Sequence, residues 1–66
     1  MCKASFQDRV VEEKKALDEK SRNLVRFMST QEFNDLAMDE QRRMKRQYSI
    51  MDLYSQVLEE RIENFT

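Results

Sequence analysis

From Phe33 to Phe65 large side chains return every three or four residues. Met44, Tyr48, Met51, Tyr54, Leu58, Ile62 and Phe65 follow Phe33 and Leu36, with no Gly or Pro among them. That spacing predicts one long helix with an apolar side, starting near 37–39 and running to about Asn64. Asp39 and Glu40 sit at the end where a helix carries partial positive charge. A second apolar set, Ile50, Leu53 and Val57, points away from the Met51/Leu58/Ile62 row. One partner helix cannot cover both sides. The simplest account is that the second side is buried against other copies of the chain.

The first half carries a narrower stripe. Phe6, Val10, Leu17, Leu24 and Phe27 share one face of a helix expected from about Ser5 to Met28, with the charged residues Glu13 and Lys20 at two further positions of that stripe. The other side is polar, with Asp8, Glu12, Lys15, Glu19, Arg22 and Arg26. Ser5 with Asp8 three residues later resembles a capping box. Ser29-Thr30 breaks the pattern, and Ser29 with Glu32 offers a second such box ahead of a short helical turn carrying Phe33 and Leu36. Two long segments of matched length, joined by a short link, give an all-α antiparallel helical hairpin spanning 1–66 as one domain.

Size then bears on assembly. A 66-residue chain buries only about 60% of its unfolded surface, so its own core is marginal. Disulfides, a metal or oligomerisation stabilise such folds. Cys2 is the only cysteine and histidine is absent, which leaves no intrachain disulfide and no Cys/His set for zinc. A homo-oligomer is the remaining expectation. No cofactor is expected. The formal net charge of −1 gives no bulk attraction to double-stranded nucleic acid or to a membrane. No apolar run approaches the ~20 residues of a membrane span, and the N-terminus lacks the apolar core of a signal peptide. These features describe a soluble intracellular protein.

The inventory argues against an enzyme. It holds no histidine, no nucleophile paired with a base and no metal-ligand spacing. Glu59, Glu60 and Glu63 read as a solvated acidic face. Arg42, Arg43, Lys45 and Arg46 wrap around the helix, which suits pairing with a neighbour's acids better than an anion site. Lys20 has two readings. It can snorkel or pair with Glu13, even across an interface, or present its ammonium to a phosphate. Arg61 also has two. In the hairpin it lies beside Phe6 and Arg9, where a ring next to guanidinium groups can hold a stacked base and a phosphate, or simply pack a helix end.

The run Phe6, Arg9-Val10, Leu17, Lys20, Leu24, Phe27, then Phe33, Leu36, Glu40-Gln41, Gln47, Met51, Tyr54, Leu58 and Arg61-Ile62 resembles a family of small phage proteins. Their hairpin domain is shared by anti-CBASS cyclic-nucleotide sponges and crAss-like phage proteins. The resemblance implies a helical homo-oligomer, with a hexamer favoured. Its ligands would be cyclic di- or trinucleotides of bacterial immunity, withheld in the cytoplasm of the infected host without being cut. It further implies that Phe6 and Lys20 serve a dinucleotide pocket, Phe6 standing where a tyrosine is expected. Arg61 would serve a separate trinucleotide pocket. The competing reading is a small helical interaction protein that binds a host or phage protein through its apolar helix face.

Overall fold

Three helices follow one another in the computed structural model, which describes residues 5–65: α1 (Phe6–Met28), α2 (Gln31–Asn34) and α3 (Met38–Glu63). Cys2 and the ends of the 1–66 domain lie outside the described residues. The hairpin is elongated, with principal extents of 48 × 23 × 14 Å. Phe6 meets Phe65, Lys14 meets Glu59 and Asp18 meets Ser55. Contacts that run forward on α1 and backward on α3 define an antiparallel pair.

The capping box at the start of α1 forms as its spacing predicts. The Ser5 hydroxyl accepts from the Asp8 backbone N–H at 3.0 Å, and the Asp8 carboxylate accepts from the Ser5 N–H at 3.4 Å. The second box does not form. Thr30, not Ser29, caps α2 and accepts from the Phe33 N–H. Ser29 is consumed in closing α1: its N–H donates to Arg26 O, its hydroxyl donates to Val25 O and Arg26 O, and the next N–H, of Thr30, donates to Phe27 O. The link then turns with no positive-φ residue among those described, which is how a chain without glycine manages it. Gln41 ties it to α3, its side-chain amide donating to Asn34 O and Leu36 O at 3.2 and 2.9 Å.

The seam between the long helices is shifted from the expected stripe. Glu13 and Lys20 are exposed, and the half-buried Lys14 and Ser21 take their places between Val10, Leu17 and Leu24. At each of these turns the seam can be met three or four residues after the last apolar position. The longer step wins at Lys14 because that ammonium finds acid partners in the seam. On α3 the same step brings in Ser55 and leaves Tyr54 43% exposed. The inner row is therefore Met44, Tyr48, Met51, Ser55, Leu58, Ile62 and Phe65.

The core is small. Val10, Leu17 and Leu58 are buried together, with Met51, Ile62 and Phe65 packed against them. At the link end Phe33 is buried edge-on against Phe27, ring centroids 6.2 Å apart. The outer row of α3 stays uncovered in the protomer, with Ile50, Leu53 and Val57 exposed at 58, 60 and 51%. Arg46 precedes and Glu60 follows on the same row, three or four residues apart throughout.

Candidate functional site

The open end of the hairpin gathers aromatic rings and a guanidinium. Phe6 opens α1, and the last turn of α3 carries Arg61, with Phe65 just beyond it. The Arg61 guanidinium carbon lies 5.3 Å from the centroid of the Phe6 ring, within cation–π range. Phe65 approaches the same ring with centroids 6.2 Å apart and planes inclined by 60°. Two folding causes place these groups. The Ser5–Asp8 cap fixes where α1 begins, and the α3 inner row carries Ile62 and Phe65 onto the core. Phe6 keeps 56% of its surface exposed.

Of the four residues singled out in the sequence, this cluster unites Phe6 and Arg61. Arg9 is exposed one turn along α1, with no side-chain partner among the described residues. Lys20 is also exposed, but fourteen residues of helix separate it from Phe6. At ~1.5 Å per residue that is roughly 21 Å, so one protomer does not bring the two to a common small ligand. Phe65 was absent from the expected site. Its signal was available, since it closes the α3 inner row that points at Phe6.

A polar layer crosses the seam one-third of the way along α1. The Lys14 ammonium donates to Asp18 Oδ2 at 2.7 Å and lies 3.6 Å from Glu59 Oε1, while the Ser55 hydroxyl donates to Asp18 Oδ1 at 2.6 Å. Hydrogen bonds from Lys14 and then Ser55 pull the Asp18 carboxyl below its ordinary 3.8. The bond to Asp18 raises Lys14 above its ordinary 10.5. Both shifts record stabilised ions in a partly wet seam. Nothing here offers a proton-transfer group poised near neutrality. The basic stretch after Ala37 is partly paired locally, with Arg43 2.9 Å from Glu40 and 4.0 Å from Asp39. Among the described residues no group of three or more His, Cys, Asp or Glu could hold a metal ion. No described helix is long and apolar enough to cross a membrane.

Fold and open end define a class: a small two-helix hairpin that presents an aromatic–guanidinium cluster at its open end. A model of the family described as Sequestin matches residues 4–64. The chain therefore belongs to the Sequestin family, in agreement with its resemblance to the phage anti-CBASS sponges. The family name indicates a sequestering role, which implies binding without catalysis. No curated protein and no solved structure matches the chain.

Proposed function

We propose that this protein is a phage-encoded sponge that binds cyclic di- or trinucleotides of CBASS-type immunity and withholds them intact in the host cytoplasm. The observation that carries this reading is the Arg61 guanidinium over the half-exposed Phe6 ring. An aromatic face can stack a base, and a guanidinium can pair with a phosphate in a bidentate fashion. No histidine stands by to cut the ligand.

A hairpin 14 Å thin cannot enclose such a ligand alone, so copies must complete the pocket. The outer row of α3 supplies the means. Laid antiparallel on its own copy, with Leu53 near the two-fold axis, α3 sets Ile50 against Val57 and Arg46 against Glu60. Arg46 and Glu60 have no ion pair within 4.0 Å among the described residues. The isologous contact repeats each pairing twice. Further contacts extend the assembly toward the favoured hexamer. We infer that Lys20 serves a ligand held by Phe6 of a neighbouring copy, since their separation along one helix keeps the two apart within a protomer.

The exposed Ile50, Leu53 and Val57 also suit a second reading, a module that docks on a host or phage protein. Thermal melting with a panel of cyclic di- and trinucleotides decides between them. A sponge melts higher with its ligand, by linkage, and chromatography after denaturation returns unmodified ligand. A flat response across the panel overturns the sponge, and linear products from pure protein overturn sequestration.

A further inference from the structure

Toward the link end of the hairpin, away from the Phe6–Arg61 cluster, a cleft of about 380 Å³ is lined by Ser21, Arg22, Val25, Arg26 and Tyr48. We propose that this cleft is a separate site for a single phosphate monoester joined to a flat ring, such as a 5′-mononucleotide.

Four features support it. Arg22 and Arg26 are four residues apart on α1, so their stems rise side by side. Neither guanidinium has a carboxylate within 4.0 Å among the described residues. Asp18, the acid one turn before Arg22, accepts its hydrogen bonds from Lys14 and Ser55 and meets Arg22 only through a weaker, longer-range attraction. Among the described residues the only side-chain bond of this pair is Arg26 to Asn23 Oδ1 at 3.3 Å, a neutral acceptor. Ser21 lines the cleft, and its buried hydroxyl oxygen has no hydrogen-bond partner among the described residues, an unusual state for a polar atom out of water. Val25 and the half-buried Tyr48 provide a ring-sized apolar wall ending in a phenol.

These groups favour a terminal phosphate over a cyclic diester. A monoester carries close to two negative charges and three free oxygens, which two parallel guanidinium forks can share. A ring-closed diester gives one charge and two free oxygens at each phosphate. The volume lies at the small end of the ~300–1,000 Å³ range of ligand sites, the size for one nucleotide rather than two or three.

The test is an NMR titration of the full-length, isotope-labelled protein with AMP, with adenosine and with inorganic phosphate. We expect AMP to shift the Arg22 and Arg26 side-chain signals together with Tyr48. Adenosine should bind at least tenfold more weakly, and Arg22→Gln or Arg26→Gln should each weaken AMP about tenfold. Arg22→Lys, which keeps the charge but loses the fork, should fall between. Unchanged circular dichroism of these surface variants excludes a folding effect. The proposal is overturned if millimolar AMP shifts only Phe6 and Arg61 signals, if it shifts nothing, or if both Gln variants bind AMP as wild type does. Cyclic-nucleotide binding is read on the Phe6 and Arg61 signals, so each site succeeds or fails separately.

Discussion

Asp18 shows how one residue can serve the seam and its surroundings. Its carboxylate accepts from Lys14 and Ser55, which joins α1 to α3 by a side-chain bond between residues far apart in sequence. Because the folded Asp18 titrates below its unfolded value of 3.8, its contribution is complete above that value and is lost as pH falls through it. Lys14 behaves oppositely. Its folded value lies above 10.5, so its contribution holds below that pH and is lost on further rise. Melting temperature should therefore drop as pH falls from about 4 downward through the lower folded value, and that acid-side drop should shrink in Asp18→Asn. Ser55→Ala, which removes only the cross-helix donor, should cost about 1 kcal/mol in thermal or urea unfolding. At the open end, Arg61→Gln should leave helicity unchanged and weaken cyclic-nucleotide binding by tenfold or more in calorimetry, since the guanidinium touches a ring that remains largely in solvent. Lys20→Met should do the same for a cyclic dinucleotide, because the exposed lysine supports nothing in its own protomer.

At the scale of elements, most of the hairpin was legible in the order of residues. Absence of Gly and Pro, two apolar periodicities and the Ser5–Asp8 box placed both long helices with ends correct to a residue or two. What periodicity could not decide was which of two adjacent positions meets the partner helix. Apolar residues identify themselves, but the seam also contains Lys14, Ser21 and Ser55, whose place depends on partners from the other helix. Apolar spacing alone therefore runs the stripe through Glu13 and Lys20 and does not reveal the polar layer. The cap of α2 falls on Thr30 and not Ser29 for a similar reason. Ser29 has the right chemistry, yet its hydroxyl and N–H are spent on the end of α1. The candidate site was legible where both partners lie near chain ends, as with Phe6 and Arg61. Where groups gather along one helix face around a cleft, as at Arg22 and Arg26, the pattern resembled an ordinary charged surface.

For the whole molecule, the deciding quantity is how little one copy buries. Only Val10, Leu17, Phe33 and Leu58 are buried among the described residues, while the outer row of α3 carries three large aliphatic residues in solvent. Leu53→Asp should convert the assembly to monomer and lower the melting temperature in sedimentation and melting experiments. Asp52→Asn, beside it but off the row, should do neither. A folded Leu53→Asp monomer as stable as wild type would show that self-association is dispensable.

The link between α1 and α3 has a kinetic consequence. It turns with no left-handed residue, and the chain contains no proline and one cysteine. Prolyl isomerisation and intrachain disulfide exchange, the usual sources of slow refolding, are therefore missing. A helical hairpin, whose contacts are mostly local, folds in about microseconds to milliseconds. Where copies assemble as proposed, the meeting of chains is the slow step that remains. After dilution from denaturant, the slow phase should then accelerate in proportion to protein concentration, so the supply of working protein would be set by how fast the chains find one another.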